Sequence, residues 1–248
     1  MTVRAIVDFL ESRAPAAAAE DWDNPGLLVG SPEDPVSCVA VALDATPATL
    51  EAARAAGAQL LVTHHPVIFT PLRQLSRDSV PYRAAAAGIA VLAAHTNLDK
   101  AAGGVNDTLA ARLGLQAVCP AADGMTRIGL LPAAVSARTL ADTAAARLHT
   151  AVRVNGDRPV RRIAVCGGSG GSLIPGLIGE ADALITGEVR HHEWLTAEAA
   201  GLTVLEAGHY ATEVPVVETL CTWLRERFPE LTVVSCAQEA PYITLGGQ

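Results

Sequence analysis

Aromatic side chains are scarce in this chain. Three Trp, three Tyr and three Phe make up 4% of its 248 residues, although half of the sequence is hydrophobic. Alanine, valine and leucine must therefore fill the interior, as in alanine-rich α/β proteins. Positive charge is short as well: 18 Lys and Arg stand against 26 Asp and Glu, a net charge of −8. That balance argues against a nucleic-acid binder that works by neutralising phosphates. No apolar run approaches the length of a membrane span, and no block of like charges, short-period repeat or low-complexity segment is visible. The N-terminal stretch Met1–Leu10 carries Asp8 within its apolar pattern, so an amphipathic helix capped by Thr2 is expected rather than a signal peptide. Cysteine offers no framework either. Cys38, Cys119, Cys166, Cys221 and Cys236 are odd in number and widely spaced, with no C-x-x-C. They read as small buried hydrophobes in a reducing cytoplasm.

What is present is a regular alternation of apolar strands and helices. Cys38–Leu43 reads as a short strand, followed by Thr46 as a helix N-cap with Pro47 at the first helical position and Gly57 as the stop. Strands are then expected over Gln59–Thr63 and Ile89–Ala94, with helices near Tyr82–Ala87 and Val105–Leu113. A second series follows: strands near Arg127–Leu131, Val152–Val154, Arg162–Cys166, Ala183–Thr186, Thr203–Ala207 and Val233–Ser235. Its helices are expected over Ala137–Leu148, capped by Ser136, and over about Val214–Phe228. Continuous apolar strands separated by helices imply mainly parallel sheets covered on both faces. The expectation is an α/β protein of two lobes, residues 1–125 and 126–248, with a boundary near Ala121–Thr126.

The polar chemistry collects where such folds bind ligands, beyond the carboxyl ends of the strands. Asp44 follows the first strand, His64 and His65 the second, and His95, Asn97 and Asp99 the third. Glu188, His191 and His192 follow Ala183–Thr186, and His209 and Glu213 follow Thr203–Ala207. Six of the seven histidines thus sit at strand ends, all but His149. Imidazole and carboxylate at one edge are the ingredients of a transition-metal site. The set His64, His65, Asp99, His209 and Glu213 reads as metal ligands, whereas His95 or His191 taken alone reads as an ordinary loop residue.

The adjacent pair His64-His65 sharpens the reading. Pro66 pushes His65 toward extended backbone, where neighbouring side chains point to opposite sides. Two metals roughly 3.5–4 Å apart suit such a pair better than one. Carboxylates such as Asp99 and Glu213 can bridge the ions, and the remaining positive charge favours a bound hydroxide. Nitrogen and oxygen ligands without thiolate fit zinc, iron, manganese, nickel or cobalt better than magnesium or calcium. Two other motifs are weaker. The run Gly167-Gly168-Ser169-Gly170-Gly171-Ser172 is either a tight turn or an anion-binding loop, and it matches no phosphate fingerprint. Asp23-Asn24-Pro25-Gly26 is accounted for as a turn.

With these residues assembled, the chain resembles the NIF-three-like family, whose members are also described as GTP cyclohydrolase 1 type 2 homologues or dinuclear metal centre hexameric proteins. The resemblance lies in Trp22–Gly30, Ala42–Thr46, Leu61–Pro66, His95–Asp99, Gly104–Asp107, Asp182–Glu188 and Gly208–Glu213. It implies two related α/β lobes, partly intertwined, with the metal site between them, so that the C-terminal segment packs back on the first lobe. It places the metal ligands on His64, His65, Asp99, His209 and Glu213, the same five that strand ends pick out. It further implies a toroidal homohexamer.

Two classes of function follow as expectations. One is a cytoplasmic metal-dependent hydrolase acting on a small molecule or nucleotide, with GTP as the named case. In it a metal-bound hydroxide attacks C8 of the purine, and Glu188 or His192 shuttles protons. The other is a non-enzymatic metal-binding ring, serving as scaffold, metallochaperone or regulatory subunit. A two-metal phosphoesterase is an intermediate case.

Overall fold

The computed structural model describes residues 1–242. Its strands are β1 (Gly26–Val29), β2 (Cys38–Ala42), β3 (Leu60–Thr63), β4 (Ala90–Ala93), β5 (Gln116–Pro120), β6 (Arg127–Ser136), β7 (Arg153–Val154), β8 (Pro159–Cys166), β9 (Ala183–Thr186), β10 (Thr203–Glu206) and β11 (Thr232–Ser235). They form two sheets, ordered β1-β4-β3-β2-β11 and β5-β6-β8-β9-β10-β7. Strands β11, β2, β3 and β4 run parallel, as do β8, β9 and β10; β1 pairs antiparallel with β4 at one edge of the first sheet, and the β5–β6, β6–β8 and β10–β7 pairs of the second are antiparallel. The fold is thus α/β with two sheets of mostly parallel strands. Among the described residues no helix is long and apolar enough to cross a membrane.

The inner strands form because their sequences suit burial on both faces. Every residue of β2, β3, β4 and β9 is buried, as expected of parallel strands flanked by helices. The helix Pro47–Ala55 starts where the sequence predicts: the Thr46 side chain accepts from Thr49 N and the Thr49 hydroxyl accepts from Thr46 N. Ser136 caps Ala137–Leu148 by accepting from Thr139 N at 3.2 Å.

The described residues fall into two compact units. The first joins Met1–Gly104 to Val216–Glu239; the second holds Val105–Pro215 and the described residues from Ala240 on. The break at Gly104 lies well before the expected boundary near Ala121–Thr126. The reason is packing: Leu109, Ala110 and Leu113, on and just after the helix Val105–Arg112, share a core with Ile163, Val165 and Ile185 of the second sheet. The C-terminal segment belongs to the first unit because β11 pairs with β2, Thr232 opposite Cys38 through Ser235 opposite Val41.

Four local features differ from the sequence expectation. β1 follows the Asp23–Gly26 turn and pairs antiparallel with β4. β5 is exposed throughout and lies at the edge of its sheet. Neither has the buried apolar run that marks an inner strand. The residues after His95 form a short helix, Thr96–Lys100, and His209–Glu213 form another. Both are five residues long, too short for helical periodicity to show.

Candidate metal centre

In the first unit, parallel pairing brings the ends of β2, β3 and β4 to one edge. His64 N and His65 N both donate to Leu43 O, at 3.1 and 3.0 Å, so the histidine pair is cinched to the end of β2. His95 follows β4. The His64, His65 and His95 rings lie with centroids 4.8 to 5.4 Å apart, and one ligating nitrogen from each falls within 4.8 Å of the others.

Each of the three imidazoles is anchored through Nδ1. His64 Nδ1 bonds Ala94 O at 2.9 Å, His65 Nδ1 bonds Asp44 Oδ1 at 2.6 Å, and His95 Nδ1 bonds Asp23 Oδ1 at 2.7 Å. A carbonyl or an ionised carboxylate only accepts. The neutral rings therefore carry their proton on Nδ1 and present the Nε2 lone pair, the arrangement that metal-ligating histidines use. Asp99, buried on the helix Thr96–Lys100, places Oδ1 3.8 Å from His64 Nε2. Burial of His95, and next the nearness of His64, hold its pKa below the ordinary imidazole value despite Asp23. A neutral ring with an available lone pair is the form a cation needs.

In the second unit, His209 and Glu213 share a face of their short helix, with His209 Nε2 3.1 Å from Glu213 Oε2. Glu188, just after β9, lies 3.3 Å from His209 Nδ1 and accepts from Ser169 Oγ at 2.5 Å. Burial disfavours a charged His209, but Glu213 and Glu188 outweigh it and raise its pKa to about 9. The hydrogen bond from Ser169 leads in holding the Glu188 carboxyl below its ordinary range. A ring flanked by two carboxylates draws a proton for the same reason that it draws a divalent cation: the local potential is negative.

The glycine run has its explanation here. Gly168 has φ +62°, and a Cβ on it would collide with Glu213 Oε1. Its carbonyl accepts from Gly187 N and Glu188 N, both at 2.9 Å, and its N–H donates to Thr212 Oγ1 at 3.1 Å. The run is thus a close-approach device that lets backbone pass beside His209 and Glu213 and holds Glu188 in place.

The family model described as Duf34/NIF3 (NGG1p interacting factor 3) matches residues 1–241. The chain belongs to the Duf34/NIF3 family. A Streptomyces coelicolor relative named GTP cyclohydrolase 1 type 2 homolog is 37% identical over 233 residues, covering 86% of this chain and 82% of its own. A Lactococcus lactis relative of the same name is 35% identical, covering 83% and 86%. The crystal structure of a Bacillus cereus protein related to NIF3 superposes with a TM-score of 0.93 over 99% of each chain at 23% identity, a likeness of fold.

Within this Duf34/NIF3 chain, His64, His65 and Asp99 thus lie in the first unit and His209, Glu213 and Glu188 in the second. His191 and His192 are exposed on the first turn of the helix His191–Ala200. Three residues outside the expected ligand set are drawn in by the structure. His95 joins the histidine cluster; its position after a strand was the available signal. Asp44 and Asp23 hold imidazoles, and only the position of Asp44 at a strand end pointed to it. The donors are imidazole and carboxylate without thiolate, which fits a borderline transition-metal cation.

Proposed function

We propose that the chain binds two divalent cations through His64, His65, Asp99, His209 and Glu213 and is a metal-dependent hydrolase of a small molecule or nucleotide. The observation that carries the reading is the Nδ1 anchoring of three clustered imidazoles by Ala94 O, Asp44 and Asp23. A core packed only for stability has no need to fix the tautomer of each ring. The names of the relatives, GTP cyclohydrolase 1 type 2 homolog, support a nucleotide as the first substrate to try. The nitrogen and oxygen donors suit zinc, iron, manganese, nickel or cobalt.

Bound cations supply Lewis acidity and lower the pKa of water. The protein's own part is positional. Asp44 and Asp23 keep Nε2 of His65 and His95 unprotonated. Glu188 holds a proton at His209 Nδ1 and is the proposed acid–base group, with His192 proposed as a second proton carrier. We further propose a toroidal homohexamer located in the cytoplasm, the first part tested by mass from light scattering.

The test is a hydrolase screen on protein of measured zinc or manganese content, with formate release from GTP and phosphodiester cleavage as readouts. Turnover that falls at least a hundredfold in His64→Ala supports the proposal. Equal rates in both proteins overturn it, and full cation occupancy without turnover favours the metal-binding scaffold.

A further inference from the structure

The carboxylate that holds His65 is itself held by a residue 194 positions further along the chain. Asp44 follows β2 and accepts from His65 Nδ1 through Oδ1 at 2.6 Å. Its other oxygen, Oδ2, accepts from Gln238 Nε2, and its backbone N–H donates to Gln238 Oε1 at 3.1 Å. One side-chain amide thus closes a ring over Asp44, joining its backbone to its carboxylate. The Asp44 carbonyl accepts from the Thr49 hydroxyl at 2.8 Å, which fixes the backbone on its C-terminal side.

Sheet register brings the two residues together. β11 runs parallel to β2 with Ser235 opposite Val41, and the ladder continues where Cys236 N donates to Val41 O at 2.8 Å. Three residues on from Ser235 and Val41 stand Gln238 and Asp44. The Gln amide offers an acceptor to the N–H and a donor to the carboxylate from one planar end, which neither a glutamate nor a lysine can do. The bracing has a purpose. The terminal torsion of an aspartate is broad and roughly two-fold, and the Asp44 side chain is 33% exposed. Covalent geometry alone therefore does not aim Oδ1 at His65; Gln238 supplies the aim.

We propose that Gln238, brought in by β11, is a positioning residue for the cation ligands of the first unit. It orients Asp44, and through Asp44 it fixes His65 with Nε2 as the ligating atom. The C-terminal segment is thereby part of the site, although none of the five ligands lies on it. The proposal rests on the function proposed above for the cation, and not for the orientation of His65, which belongs to the cation-free protein.

The experiment compares the full chain with Gln238→Met, Asp44→Ala and the double variant. Gln238→Met keeps the reach of the side chain and removes both hydrogen bonds. Competition against a chelator measures manganese affinity. A loss of about tenfold is expected in Gln238→Met, the lower end for a residue that supports a ligand from outside. No further loss is expected when the same change is made in Asp44→Ala, because a residue that acts through Asp44 is coupled to it. Unchanged affinity in Gln238→Met, or equal losses in the two backgrounds, overturns the proposal. Proton NMR of the cation-free chain supplies a second readout. The His65 Nδ1 proton should be resolved downfield in the wild type, lost in Asp44→Ala and broadened by exchange with water in Gln238→Met. A resonance absent from the wild type, or unchanged in Gln238→Met, also overturns the proposal. Circular dichroism checks each variant, and Gln238→Ala decides where Gln238→Met does not fold. A chain that takes up no manganese but shows the proton change keeps the positioning role and removes the cation. Manganese uptake with an unchanged proton in Gln238→Met does the reverse.

Discussion

His65 Nδ1 and Asp44 Oδ1 lie 2.6 Å apart, and Asp44 is itself held from behind by Gln238, whose Oε1 accepts from Asp44 N at 3.1 Å. The carboxylate therefore sets both the tilt of the ring and which nitrogen keeps its lone pair. Asp44→Ala is expected to weaken divalent-cation affinity by about 10- to 100-fold, the usual effect of removing such a partner. Asp44 is partly exposed, so the fold should hold. Competition against a chromogenic chelator measures the affinity, and an unchanged value contradicts the positional role.

Asp23 adds a pH-dependent contribution to stability. Burial pushes its carboxyl pKa up, but the hydrogen bonds from Thr96 and His95 outweigh this and hold the pKa below the ordinary value. A carboxyl whose folded pKa is depressed stabilises above its unfolded pKa, and that stabilisation is lost as pH falls through the folded pKa. Asp23→Ala should cost about 1–3 kcal/mol at neutral pH through the unsatisfied Thr96 and His95 donors. The gap from wild type should begin to close once the pH drops below about 4, the ordinary carboxyl range. Urea unfolding of both proteins across this range checks the sign.

Gly168 and Gly57 make a controlled pair. Both have positive φ, +62° and +71°, but a Cβ on Gly57 meets nothing within 4 Å, whereas one on Gly168 runs into Glu213. Gly57→Ala should cost about 1 kcal/mol through the left-handed backbone alone. Gly168→Ala should cost more, about 2–4 kcal/mol, and should also reduce cation uptake, because Glu213 must move. Thermal melts and cation content of the two variants separate these effects.

The thiols predict their own reactivity. Cys38, Cys166, Cys221 and Cys236 are buried and Cys119 is exposed. Burial raises the thiol pKa of Cys38, Cys221 and Cys236 above the ordinary value, which lowers their thiolate fraction. At about pH 8, close to the ordinary thiol pKa, a disulfide reagent should titrate one thiol per native chain quickly and all five only after denaturation. Two or more fast thiols in the native protein contradict this burial pattern.

The legible parts of this molecule were those with a local cause. The inner strands β2, β3, β4 and β9 show in the sequence because a strand buried on both faces must be a continuous apolar run. His64, His65, His209 and Glu213 stood out through their places after such runs. Asp23 did not, because Asp-Asn-Pro-Gly is a complete turn signal in itself, and its bond to His95 spans 72 residues. The boundary at Gly104 was hidden for a similar reason. No change of composition marks it; the assignment of the helix Val105–Arg112 depends on which sheet covers its apolar face. Edge strands β1 and β5 carry no buried alternation and so had no pattern to read.

His64, His65, Asp99, His209 and Glu213 are the residues proposed above to hold a pair of cations. Anomalous diffraction from crystals grown with manganese or zinc tests it most directly. Two peaks per chain are expected, about 3.5–4 Å apart, with those five side chains as ligands. Crystals that show no peak at these residues, with the histidine rings keeping only their hydrogen-bond partners, would contradict it.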